Sequence, residues 1–169
     1  MSTASLYSSQ LIGLKAEPIT IEVDIANGLH SFSIVGLGDR AVTESKDRIS
    51  AAIKNSGFTS PKQKNQKVTI SLAPADVRKE GPSFDLPMAL AYLVAAGELE
   101  LDPENKLFLG ELSLEGNIRK VSGLLPILCQ AQTMGFTCAF VPKENEYEAS
   151  LAQGMTRAEI SLAMLLASC

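Results

Sequence analysis

The stretch from Phe84 to Ala96 sets the terms for everything around it. It reads Phe-Asp-Leu-Pro-Met-Ala-Leu-Ala-Tyr-Leu-Val-Ala-Ala, apolar nearly all round at helical spacing. A helix on a protein surface keeps a polar face, whereas one that is apolar on every side has to be covered on every side. The chain must therefore wrap layers of structure around this segment. Pro87 is tolerated only in a first turn, where its missing N–H is not needed. That fixes the helix start near Ser83 or Phe84, makes Ser83 the expected N-cap, and leaves Gly97 to end it.

The wrapping elements mix strands and helices. Ile19 to Ile25 alternates, with Ile19, Ile21, Val23 and Ile25 on one face, and Asn27-Gly28 follows it. Strand-like runs on either side of Asn-Gly predict a hairpin, with Ser31 to Val35 as its return strand. Asp39 is placed to cap a helix from Arg40 to about Asn55, whose buried face carries Val42, Ser45, Ile49, Ala52, Ile53 and Ser56, with Gly57 at its end. A polar loop over 59–66, expected to be solvated and mobile, leads to a strand at Val68–Leu72. Further on come a strand at Leu107–Leu114, a turn at Glu115-Gly116-Asn117 into Ile118–Val121, and a helix from Gly123 to about Met134. A strand at Thr137–Val141, a short helix near Glu146–Gln153 and a weak apolar helix from Arg157 to Ser168 complete the chain. The expected class is α+β, a mixed α/β sandwich. At 169 residues, one domain of about 150 residues is the expectation. It is placed at 5–153, with 154–169 as a tail that starts a linker or marks a truncation.

Several chemistries are excluded by what the chain lacks. No Gly-Lys pair and no G-x-G-x-x-G occur, so phosphate binding by a P-loop is not available; Gly36-Leu37-Gly38 is read as a tight turn before a helix. The only histidine is His30, beside the Asn-Gly turn, and the cysteines are Cys129, Cys138 and Cys169, with no CxxC. They make no zinc site and read as free thiols in a reducing compartment. The acidic run Glu98–Glu104 lacks the pattern of a calcium loop. No apolar run is long enough to span a membrane, and the first residues lack a basic-then-apolar leader, so a cytoplasmic protein without membrane contact is expected.

Charge gives one hint. The chain is −4 overall, yet Arg40 to Lys79 holds nine basic residues against three acids. Such asymmetry points to an anionic partner. The candidate phosphate contacts are Lys62, Lys64, Lys67, Arg78 and Lys79. With no aromatic residue in the loop, contact with DNA would be to the backbone and blind to sequence.

The most unusual stretch is Lys79-Glu80-Gly81-Pro82-Ser83 before the buried helix, which puts a hydroxyl near a helix N-terminus. It resembles the Lys-Asp-Gly-Pro-Ser nucleophile motif of the Lon protease domain. Over about residues 5–152 the chain is similar to the N-terminal, Lon-protease-like domain of the magnesium-chelatase-like AAA+ proteins, the YifB/ComM family. The residues carrying this are Phe32–Leu37, Ala51–Phe58, Leu72–Asp76, then Gly81, Pro82, Ser83, Asp85 and Pro87, then Gly110 and Glu111 within Phe108–Ser113, and Val141–Asn145.

The resemblance implies a Lon-protease-domain-like, ribosomal-protein domain-2-like fold. It also implies a parent protein whose P-loop motor, binding ATP and magnesium, lies outside this chain and works on DNA as a helicase or in branch migration during natural transformation. Partners would be that motor in cis or other protomers of a ring, and DNA through residues 40–79. A Ser–Lys dyad needs a desolvated lysine. The Lon-like position for it, after Gly123-Leu124, holds Leu125, and Lys120 is expected to lie elsewhere and point away. The reading is a non-catalytic accessory domain, with no cofactor or metal of its own, for ring assembly or DNA contact. The alternatives are a Lon-like peptidase using Ser83, the weak catalytic candidate, and a stand-alone oligomerisation or adaptor domain.

Overall fold

The computed structural model describes residues 2–159. Strands β1 (Ser2–Ile12) and β2 (Lys15–Asn27) form a long antiparallel hairpin that turns at Gly13-Leu14. Then come β3 (Ser31–Val35), helix α1 (Arg40–Asn55) and β4 (Gln66–Ala73). The sheet order is β1-β2-β4-β3, with β4 antiparallel to β2 and parallel to β3.

The hairpin predicted across Asn27-Gly28 does not form, because β4 is inserted between β2 and β3. The central place goes to the strand with the more apolar face. Val68, Ile70 and Leu72 of β4 are buried and stand opposite Ile25, Val23 and Ile21 of β2. The shorter β3 has only Phe32 and Ile34 facing the core, and both are partly buried. It reaches β4 through α1, as a parallel pair requires a crossover.

Helices α1 and α2 (Asp85–Ala95) lie on the apolar face of this sheet, and α2 also packs against β1. The expected α1 is observed: Val42, Ser45, Ile49, Ala52 and Ile53 are buried, the Asp39 carboxylate accepts from the Val42 N–H at 2.9 Å, and Gly57 follows the cap at φ 91°. Helix α2 is covered on all sides, with only Val94 not fully buried. Its one hydroxyl, on Tyr92, accepts from the Gln66 side chain at 2.7 Å, which meets the requirement that a buried polar group be partnered.

Ser83 is not the N-cap. Phe84 occupies that place and caps nothing with its side chain. The first amides of α2 are satisfied by main chain instead: Asp85 N–H donates to Pro82 O at 3.1 Å and Leu86 N–H to Gly110 O at 3.0 Å. No donor is left for a serine to cap.

The second half builds a parallel sheet, β5 (Lys106–Phe108), β8 (Cys138–Val141) and β9 (Thr156–Glu159), in the order β5-β8-β9. A hairpin of β6 (Glu111–Leu112) and β7 (Ile118–Arg119) turns at Glu115-Gly116-Asn117 as expected. Helices α3 (Leu124–Thr133) and α4 (Glu146–Ser150) complete it. Leu107–Leu114 is therefore two strands and not one. Gly110 breaks it: its N–H donates to Ser83 O and its carbonyl accepts from Leu86, so its main chain is committed to α2. A Cβ there would sit 2.7 Å from Ile118 Cγ2 and 3.1 Å from Leu86 Cδ2. The helix predicted from Arg157 is a strand as far as Glu159, added parallel to the edge of β8; the rest of that prediction lies outside the described residues. The fold is α+β with mixed sheets, as expected.

Asp85 ties the helices to β6. It is wholly buried, and Arg48 of α1 binds it through two nitrogens, Nε to Oδ2 at 2.7 Å and Nη2 to Oδ1 at 3.1 Å. The Ser45 hydroxyl donates to Oδ1, and Leu112 N–H to Oδ2 at 3.2 Å. Burial pushes the carboxyl pKa up, while Arg48, Ser45 and the Leu112 N–H pull it back. The net direction is upward, and the two-nitrogen contact with Arg48 has the geometry of a buried arginine–carboxylate pair. Removing one partner of a buried ion pair strands the other charge. Asp85→Ala is therefore expected to cost about 3–5 kcal/mol in urea unfolding. The double variant R48M/D85L is expected to cost clearly less than the two single changes summed.

Candidate functional site

After β4, residues 74–84 form a loop that is fastened on three sides. Lys79 N–H donates to Leu37 O at 3.0 Å, and Asp39 N–H donates to Lys79 O at 2.9 Å. Gln10 of β1 grips two residues at once: its Nε2 donates to Arg78 O at 2.6 Å, and its Oε1 accepts from Glu80 N–H at 3.1 Å. The second oxygen of Asp39 accepts from Gly81 N–H at 3.1 Å, while the first caps α1. One carboxylate thus joins the start of α1 to the Gly81-Pro82-Ser83 segment.

Lys79 points inward. It is wholly buried, its ammonium donates to Pro74 O, and burial lowers its pKa against a smaller upward pull from Asp76. This corrects its expected role as a phosphate contact: no solvent-borne anion reaches it, and it closes the loop from within.

Ser83 is partly exposed, and its hydroxyl makes no hydrogen bond among the described residues. It opens onto a cleft of about 710 Å³ between the end of β1, the 76–80 loop and the start of α3 at Ser122-Gly123. It also lines a smaller cleft of about 230 Å³ with Glu80, Glu111, Lys120 and Ser122. Lys120 was expected to lie elsewhere, yet β7 brings it to this smaller cleft because the β6–β7 hairpin folds back beside the Gly81 loop. It is exposed, without a hydrogen bond or ion pair among the described residues. Leu125, at the position a Lon-like lysine would hold, donates its N–H to Glu148 Oε1 at 3.0 Å.

The two quoted motifs interlock. Gly81, Pro82, Ser83, Asp85 and Pro87 form one strip, and Gly110 and Glu111 lie along it. Ser83 O and Leu86 N bond to the two ends of Gly110, and Asp85 bonds to Leu112 N. Glu111 faces outward and pairs with Arg119 at 3.2 Å. Sequence reasoning found both motifs but not that one is the docking partner of the other. It also missed Gln10 and Asp39 as braces. For Asp39 the capping signal was visible; for Gln10, in an otherwise ordinary strand, there was no signal.

Three of the five expected phosphate contacts are engaged in ion pairs. Lys62 pairs with Asp47 at 3.0 Å, Lys64 with Glu98 at 2.6 Å and Arg78 with Glu80 at 3.4 Å. Burial alone would raise the Glu98 carboxyl, but Lys64 and the Thr59 N–H together hold it below the ordinary range. Of the five expected contacts, only Lys67 is exposed and without a carboxylate partner among the described residues. Within the 59–66 loop, residues 61–63 form a 3-10 helix, and the Ser60 hydroxyl donates to Ser50 O at 3.0 Å. Among the described residues no helix is long and apolar enough to cross a membrane. Cys129 is exposed and Cys138 half-buried, and both are free thiols.

Residues 21–145 match the family described as subunit ChlI of Mg-chelatase. Competence protein ComM of Haemophilus influenzae is 39% identical over 152 residues, covering 89% of this chain and 29% of that protein. The uncharacterized protein YifB of Escherichia coli is 40% identical over 155 residues, covering 91% of this chain and 30% of that protein. The DNA repair protein RadA of Mycobacterium tuberculosis is 39% identical over 70 residues, 41% of this chain and 14% of that protein. The chain thus spans less than a third of the length of these relatives.

The double duty of Asp39 is testable. Asp39→Ala is expected to cost about 1–2 kcal/mol, the range for a lost N-cap, and to speed hydrogen exchange at the Gly81 amide. Asp39→Ser restores the cap and most of the stability but leaves Gly81 exchanging fast. NMR-detected exchange alongside urea unfolding separates the two effects.

Proposed function

Since the chain belongs to the family of subunit ChlI of Mg-chelatase, we propose that it is a non-catalytic accessory domain of a magnesium-chelatase-like AAA+ ATPase, acting in the cytoplasm to position or assemble the motor. The observation carrying this reading is the state of the Ser83 loop. It is braced by Gln10, Asp39 and Leu37, but among the described residues no buried lysine bonds to the Ser83 hydroxyl. A Ser–Lys dyad works only where burial frees the lysine of its proton. Leu125 occupies the Lon-like position, Lys120 is exposed, and the buried Lys79 is spent on Pro74 O. A fold carries chemistry only when the site is complete. ATP and magnesium would be handled by a motor module in cis, for which this chain offers no P-loop.

The relatives' names, a competence protein and a DNA repair protein, associate the parent proteins with work on DNA. Within this chain, ion pairing of Lys62, Lys64 and Arg78 and burial of Lys79 support a positioning role over direct DNA contact. Exposed pairs are weak and can open, so the distinction is quantitative.

Two results are expected. Binding to duplex DNA should be weak, with a log–log salt slope near −1 in place of the ~−4.5 that five phosphate contacts would give. The K62A/K64A variant should keep that slope. A steep slope that falls by about two with these substitutions would establish DNA contact instead. Fluorogenic peptides should be left uncut by the wild type and by S83A alike; cleavage lost in S83A would establish a peptidase.

A further inference from the structure

We infer that the outer edge of β3 is a self-association seam, where a second copy of this chain pairs antiparallel about a two-fold axis through Ser33 and joins the two four-stranded sheets into one. This inference does not depend on the accessory-domain reading.

Strand β3 ends the sheet, and among the described residues nothing pairs with its outer side. The strand at the other end, β1, is backed by β5. Charges, prolines and bulges are among the devices that keep edge strands monomeric. From Gly28 to Gly38 there is no Asp, Glu, Lys, Arg or Pro, and β3 pairs with β4 without a bulge. Three of the solvent-facing large apolar side chains lie on this one run: Leu29 at 93% exposure, Val35 at 48% and Leu37 at 59%. Leu37 is also held at φ 52°, a left-handed conformation that residues other than Gly, Asn and Asp rarely adopt. Large exposed apolar groups gathered on a bare edge mark an interaction surface.

A second copy fits because the run is self-complementary. A two-fold axis through Ser33 sets Phe32 opposite the partner's Ile34, and Ser31 opposite the partner's Val35. Leu29 and Leu37 lie just outside the strand, one at each end of the seam. Phe32 and Ile34 already pack against the core, so the seam would prolong the apolar row of the inner face. No like charges meet anywhere along it. Register in a sheet is fixed by such matching of faces.

Light scattering of the chain across concentration is expected to approach twice the 18.0 kDa of one copy. Ser33→Lys sets two ammonium groups directly opposite each other on the axis and should weaken association at least ten-fold. Val35→Lys should also weaken it. Leu14→Lys, at the exposed tip of the β1–β2 hairpin, should not. Both β3 positions are solvent-facing, and unchanged circular dichroism and Tm will show the fold intact. Under diamide, Ser33→Cys is expected to form a covalent dimer faster than the wild type, since the paired Cβ atoms across an antiparallel ladder come within disulfide reach. Val35→Cys, which does not face itself, should not. A monomer at ~1 mM, where even a millimolar interface would be substantially occupied, would overturn the proposal. So would a dimer that survives both lysine substitutions, or Ser33→Cys crosslinking no faster than the wild type.

Discussion

A single buried carboxylate organises this protein. Asp85 sits at the first residue of a helix that has no polar face to spare, and it cannot be left there unpaired. Arg48 reaches it from α1, Ser45 reaches it from the same helix, and Leu112 supplies a main-chain N–H from β6. Three elements far apart in sequence are therefore held at one point. Buried ion pairs of this kind add little net stability compared with apolar packing, but they tolerate few alternative arrangements. The adjacent main-chain bonds of Gly110 to Ser83 and Leu86 follow from that placement.

The same economy recurs one layer out. Asp39 caps α1 with one oxygen and holds Gly81 with the other. Gln10 uses both ends of its amide on Arg78 and Glu80. The loop so fastened presents the Ser83 hydroxyl to two clefts, where it makes no hydrogen bond among the described residues. In the proposed accessory role this braced loop serves as a fixed surface and not as chemistry.

Much of this was legible in the residues. The all-round apolar run of α2 demanded burial, and Asp39, the i, i+3, i+4 face and Gly57 marked α1 from end to end. Most of the misreadings rested on a single local signal that another contact overrode. Asn27-Gly28 is a sound hairpin signal, but β4 offered β2 a better apolar partner than β3 could. Gly110 stood inside a strand-like run, yet its main chain was claimed by α2. Ser83 had the chemistry of a cap, but the carbonyls of Pro82 and Gly110 reached the amides first. Lys79 counted as surface charge because nothing in the sequence shows that a lysine turns inward to a carbonyl five residues back. Pairing of Lys62 and Lys64 with Asp47 and Glu98 was equally invisible, since those carboxylates come from other elements.

The central claim is that Ser83 is a hydroxyl on a rigid frame and not an activated nucleophile. The direct measurement is intact-mass spectrometry of the chain after incubation with a fluorophosphonate, which labels serines whose proton is taken by a neighbouring base. The account predicts an unchanged mass over hours at neutral and mildly alkaline pH. A single adduct mapping to Ser83, absent in S83A, would contradict it.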